Sequence, residues 1–87
     1  MVSFINVGFG NMIAVYKIIA MVTPDSAPTK RNIQEAKEEG TIIDATHGRK
    51  TRTVIYMENG RIVLSALQPE TIVNRLQGQI SSDDDHV

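Results

Sequence analysis

The chain has 87 residues, no Cys and a formal net charge of −1, which suits a single domain and excludes disulfides, thiol nucleophiles and Cys-based zinc sites. His47 and His86 are too few for an all-His metal site, so neither a metal nor any other cofactor is expected. The balance of charge is uneven: residues 81–87 hold three acids and no Lys or Arg, and residues 1–80 sum to +2, so a nucleic-acid footprint could arise only from local clustering.

Residues 3–7 are apolar-rich and partly β-branched and predict a first strand, broken by Gly8-Phe9-Gly10-Asn11. Residues 14–22 are apolar or β-branched apart from Lys17 and predict a second strand, ended by a turn at 23–26. A helix follows, capped by Ser26 or Asp25, with Pro28 in its first turn and Gly40 as its stop. Its apolar face is thin, formed by Ala27, Ile33 and Ala36, so it packs on one side only.

Residues 41–45 predict a third strand and 46–50 a loop. In the fourth strand, 52–57, Val54 and Tyr56 share one face while Thr53, Ile55 and Met57 share the other. Asn59-Gly60 is the pair preferred in a two-residue type I′ turn, and residues 61–67 return as a fifth strand. Pro69 opens a short second helix that buries Ile72, Val73 and Leu76. The order β-β-α-β-β-β-α predicts an α+β fold: a largely antiparallel sheet of about five strands with two short helices.

The domain is expected over residues 1–78, with 79–87 as an acidic, disordered tail. Polar interruptions at Asn6, Gly8, Gly10, Asn11 and Lys17 leave no apolar run long enough to span a membrane. No basic residue precedes Phe4, as a signal peptide would require. A soluble cytoplasmic protein is expected. A domain this small buries a limited core, and two thin helices cannot cover both faces of strands that are apolar on both sides. A leftover apolar face predicts a homo-oligomer, the alternative being that sheet twist and the helices cover that face.

Catalytic signals are weak. The serines lack a nucleophile-elbow context. Asp44 and His47 are spaced as a conceivable base and its orienting acid, but no third group accompanies them, and a turn cap plus a loop histidine explains them as well. Gly8-x-Gly10 lacks the third glycine and the following helix of a phosphate loop, and is better explained as a tight bend whose Phe9 packs or plugs a neighbour. The chain is not expected to be an enzyme.

The basic cluster is more informative. Arg49, Lys50 and Arg52 place three cations within four residues, beside the hydroxyls of Thr46 and Thr51 and the open backbone of Gly48. Such a mixture binds phosphate oxygens, although a short charge run is also the make-up of a solvated loop, and the residues alone leave both readings open. Lys30-Arg31 and the lone Lys17 can join the same surface or stay solvated.

The stretches Phe4-Ile5-Asn6-Val7-Gly8-Phe9-Gly10-Asn11, Pro24-Asp25-Ser26-Ala27-Pro28 with Lys30-Arg31, Ile43-Asp44-Ala45-Thr46 through Gly48-Arg49-Lys50-Thr51-Arg52, and Leu64-Ser65-Ala66-Leu67-Gln68-Pro69-Glu70-Thr71 together carry a resemblance. Over residues 3–76 the chain resembles the RemA family of small bacterial extracellular matrix regulators. The resemblance implies a cytoplasmic protein that forms closed rings, binds double-stranded DNA bent around them, and activates matrix operons. It implies DNA contacts from Lys17, Arg49 and Lys50, with Arg52 close by, and a structural role for Pro28, which positions the helix at or near a subunit interface. Gly8, Phe9 and Gly10 are expected to be interface or structural residues as well. The family shows Arg at the position of Lys17 and Arg-Arg at Arg49-Lys50; charge is kept here, but the forked geometry of the guanidinium is lost.

A different reading is an oligomeric scaffold that binds protein and no nucleic acid, supported by the low net charge, the apolar strand faces and the acidic tail. Salt separates the two, because phosphate binding weakens steeply as salt rises. RNA is disfavoured by the scarcity of aromatic residues for stacking, Phe4, Phe9, Tyr16 and Tyr56, none of them expected in the basic cluster.

Overall fold

The computed structural model describes residues 3–85, with side chains described over residues 3–78. Six strands and two helices follow one another: β1 Phe4–Asn6, β2 Met12–Ala14, β3 Ile18–Val22, α1 Ala27–Glu39, β4 Ile42–Ala45, β5 Thr53–Met57, β6 Ile62–Ser65 and α2 Pro69–Asp85. The architecture is α+β, but the strands form two sheets. β1 and β2 make an antiparallel hairpin, and the other four pair in the order β3-β5-β6-β4. Three of the four pairings are antiparallel; β4, which the chain reaches from β3 through α1, runs parallel to β6.

The single strand expected over 14–22 is divided by a 3₁₀ turn, Val15–Lys17. Its two halves answer to different partners. Val15 N–H still donates to Ser3 O of the hairpin, whereas Lys17 O already accepts from Glu58 N–H at the end of β5. The chain must turn between them to leave one sheet and enter the other. Lys17 therefore ends a 3₁₀ turn and does not lie within a strand.

Alternation of side chains along β5 sorts the core into two layers, as its pattern predicts. Val54, Ile62, Leu64 and the edge of Tyr56 meet α1 through Ala36 and Ile33. Ile55 and Val63 face the other way, toward Ile5 and Val7 of the hairpin and Ile72 of α2. The hairpin thus covers part of the sheet face that two helices alone could not. Ser65, fully buried, ties the layers by donating from Oγ to Val7 O at 2.7 Å and accepting from Leu67 N–H at 3.1 Å.

α1 has the expected caps. Ser26 Oγ accepts from Thr29 N–H, Pro28 sits in the first turn, and Gly40 closes the helix at φ 74°. The stripe that α1 buries is Thr29 and Ala36 with half-buried Ile33; Ala27 faces solvent. In α2, Ile72 is fully buried and Leu76 half-buried, but Val73, expected inside, is 36% exposed. α2 is also longer than expected, since its helical backbone continues to Asp85. The expectation of a disordered tail over 79–87 falls on side chains outside the described residues.

The β5–β6 hairpin is present with a different turn. Gly60 N–H donates to Met57 O and Met57 N–H to Arg61 O, which makes a three-residue loop. Gly60 is left-handed at φ 84°, while Asn59 is not among the residues at positive φ. This is a type I turn followed by a left-handed glycine, not the two-residue type I′ turn, which needs positive φ at both central positions.

Candidate nucleic-acid interface

Strand register brings distant segments to one end of the four-stranded sheet. Val22 pairs with Val54, and Thr53 and Ala45 both pair with Ser65, so the chain leaves β3, β4 and β6 and enters β5 at the same end. The 23–26 turn and the start of α1 follow β3 there. Residues 46–52 connect β4 to β5 there, and Gln68 leads into α2. Thr23, Asp25, Lys50, Arg52 and Gln68 line a shallow recess of about 90 Å³ between these segments. The N-termini of both helices open on this end and turn the positive ends of their dipoles toward it; Ser26 Oγ already caps Thr29 N–H, and Pro28 and Pro69 carry no N–H.

Arg49, Lys50 and Arg52 are all exposed here. Arg52 N–H continues the ladder by donating to Ser65 O at 2.8 Å, which anchors the segment's end. Lys30 and Arg31 are exposed near the start of α1, on the element that begins at this same end. Asp25 and Glu70 are the acids at the two helix starts.

Lys17 lies elsewhere. Its carbonyl meets Glu58 beyond the far end of β5, and the five residues of β5 lie between Arg52 and Glu58, a span of roughly 20 Å. Lys17 Nζ pairs with Glu58 at 3.5 Å and stands 5.2 Å from the Tyr16 ring centroid. It borders an apolar hollow of about 350 Å³ floored by Ile13, Ile43, Met57 and Val63, with Arg61 on the rim. Within one protomer, then, the expected cations form two groups at opposite ends of the sheet.

The 46–49 segment is itself a tight turn. Arg49 N–H donates to Thr46 O at 3.0 Å, and the two central residues, His47 and Gly48, have φ 54° and 79°. These are the φ values of a type I′ turn. Asp44 caps it, accepting from the Thr46 hydroxyl and from Thr46 N–H at 2.9 Å. The hydroxyl bond, then the N–H bond, hold the Asp44 carboxyl below its ordinary 3.8; slight desolvation opposes them and Lys37 adds a small favourable charge. Asp44 is thus engaged by Thr46, the arrangement of a turn cap.

A second turn of the same kind faces the first. Asn11 N–H donates to Gly8 O at 3.0 Å, with Phe9 at φ 53° and Gly10 at φ 79° between them. A Cβ at Gly8 would meet Leu67 Cγ at 3.6 Å and Ala45 O at 3.8 Å, ordinary contact distances, so it is the φ of 118° that favours glycine there. Phe9 and His47, at equivalent positions of the two turns, stack with ring centroids 4.9 Å apart and planes inclined by 20°. The Arg49 guanidinium stands 5.6 Å from the same Phe9 ring, within cation–π range and worth about 0.5–1 kcal/mol at an exposed site. The expectation that no aromatic joins the basic cluster is therefore corrected. Phe9 arrives from the hairpin, and nothing in its local sequence signals that neighbour. Pro28 is exposed on the first turn of α1.

Among the described residues no group of three or more His, Asp or Glu could hold a metal ion, and no helix is long and apolar enough to cross a membrane.

Residues 4–76 match the family described as extracellular matrix regulatory protein A-like. The chain is 56% identical over 84 residues to a Geobacillus kaustophilus protein, covering 97% of this chain and 93% of that one. It is 55% identical over 84 residues to one of Geobacillus thermodenitrificans, with the same coverage, and 54% identical over 76 residues to one of Bacillus cereus, covering 87% of each. All three are named only as candidate regulatory proteins. Fold and relatives define a small regulatory protein of the α+β class, with names that speak of regulation and not of catalysis. The chain belongs to the RemA-like family.

Proposed function

We propose that this protein is a cytoplasmic, ring-forming DNA-binding regulator of extracellular matrix genes, in keeping with the description of its family. The observation that carries the DNA reading is the cationic sheet end. Lys50 and Arg52 line the recess beside two helix N-termini, Arg49 follows on the same loop against Phe9, and Lys30 and Arg31 lie on the adjoining helix. The positive ends of two helix dipoles and mixed Lys and Arg side chains suit phosphate oxygens. One protomer offers too few phosphate partners for firm binding, and repetition around a ring multiplies them. Specificity then comes chiefly from the shape and bendability of the duplex.

Exposed apolar side chains on both edges of the sheet support the ring. Ile19, 67% exposed, and Tyr16 mark the β3 edge, and Ile43, 41% exposed, marks the β4 edge. Contact between two different edges is head-to-tail, and such an arrangement closes into a ring when the rotation permits.

The test is fluorescence anisotropy of a labelled duplex titrated with protein across a salt series. Log affinity should fall linearly with log salt. Arg49→Ala with Lys50→Ala should reduce the slope by about 0.9 for each phosphate that the variant no longer neutralises. Light scattering on that double variant should show the oligomer intact. No binding at low salt by folded protein would instead favour a scaffold that binds protein.

A further inference from the structure

We propose that Phe9 is a positioning residue for Arg49: a ring supplied by the β1–β2 hairpin that holds the guanidinium, together with His47, in one orientation at the cationic sheet end. The inference rests on the DNA-binding reading and adds to it a residue outside the charged set.

Phe9 and His47 are the only non-glycine residues at positive φ among those described, and they are stacked on each other. His is tolerated in that region better than most residues, but Phe is not. A turn that needed only to reverse the chain would favour Asn at the place of Phe9, since Asn-Gly is the preferred type I′ pair. The aromatic ring is thus kept at a position where the backbone disfavours it. Two interactions offset that strain, one with the His47 ring and one with the Arg49 cation.

Both supports are stiff. The Phe9 turn is held by Gly8 N–H donating to Asn6 Oδ1 at 2.7 Å, by Asn11 Nδ2 donating to Gly8 O at 2.8 Å, and by Val7 N–H donating to Asn11 O at 2.8 Å. The His47 turn is held by the Asp44 cap. Arg49 follows His47 by two residues, and its guanidinium stands 5.6 Å from the Phe9 ring centroid. Long cationic side chains lose rotamer freedom when they bind, and one ordered beforehand loses less. With Phe9 half exposed, Arg49 remains open to solvent while its stem is directed.

The test compares the full chain with Phe9→Asn, Phe9→Tyr, Arg49→Ala and the Phe9→Asn/Arg49→Ala pair. Phe9→Asn retains a well-formed turn, so folding and assembly should survive. Duplex affinity, measured by anisotropy at fixed salt, should fall about two- to fivefold per engaged protomer, the worth of one exposed cation–π interaction. Phe9→Tyr should bind as the parent does. In the Arg49→Ala background Phe9→Asn should change nothing further, because the residue it positions is gone.

A second readout needs no DNA. Relaxation of the Arg49 Nε–H group should report a restricted side chain in the parent and a mobile one in Phe9→Asn. An equal loss of affinity from Phe9→Asn with and without Arg49, or a changed oligomeric state, would overturn the positioning role. Failure of the parent to bind duplex, with Arg49 still released by Phe9→Asn, would overturn the DNA reading and leave the positioning role standing.

Discussion

Ser65 and Val7 are joined by a 2.7 Å hydrogen bond although 58 residues separate them. Ser65 has no exposed surface, and its Oγ also accepts from Leu67 N–H. It is the polar joint between the β1–β2 hairpin, β6 and the approach to α2, and Thr53 Oγ1 reinforces that approach by donating to Leu67 O at 2.7 Å. Removing it with Ser65→Ala leaves the buried Val7 carbonyl without that partner, a cost of about 1–3 kcal/mol. For a domain of this size each kcal/mol lowers the melting temperature by about 4–8 °C. Thermal denaturation followed by circular dichroism measures it. A melting point unchanged by the substitution would mean that the hairpin is held by apolar packing alone.

The Asp44 carboxylate gives the fold an acid-sensitive element. Two bonds from Thr46 favour the charged form in the folded chain and lower its pKa from 3.8. A depressed carboxylate contributes stability that is present above the unfolded value and is lost as pH falls through the folded one. Asp44→Asn should therefore reduce stability at neutral pH and flatten the acid limb below about pH 4. Urea denaturation at pH 7 and pH 3 distinguishes the outcomes. Equal destabilisation at both would show that the cap acts through shape and not through charge.

Lys17 and Glu58 form an exposed pair, with side chains 45% and 60% accessible. Such pairs add little to stability, so Glu58→Gln should leave the melting temperature nearly unchanged. It should strengthen duplex binding, because it frees a cation for phosphate and removes a charge that repels it. The salt slope should steepen by up to about 0.9 for each Lys17 that then neutralises a phosphate. Unchanged affinity would place Lys17 outside the DNA surface and leave binding to the other end of the sheet.

Local features of this protein could be read along the chain. The caps of α1 at Ser26 and Gly40 depend on residues a few positions apart, and so does the alternation of Val54 and Ile55 between two core layers. The cations of residues 49–52 are contiguous, so no fold was needed to see them. Family membership followed from the same short motifs, now matched over residues 4–76.

Tertiary structure decided what depended on pairing between distant segments. Residues 14–22 carry one strand-like pattern, yet the hairpin claims one end through Ser3 and β5 claims the other through Glu58. Periodicity cannot show that division, because both halves are equally apolar. The register of β5 against β3 sends Lys17 away from Arg52, and the hairpin docked on the sheet carries Phe9 beside His47. Turn type was decided in the same way: the register set a three-residue loop at Asn59-Gly60, and type I′ φ values appeared at His47-Gly48. Sequence by itself determined the charges and most of the elements. Long-range burial and strand register, which no local pattern encodes, decided which of those charges stand together.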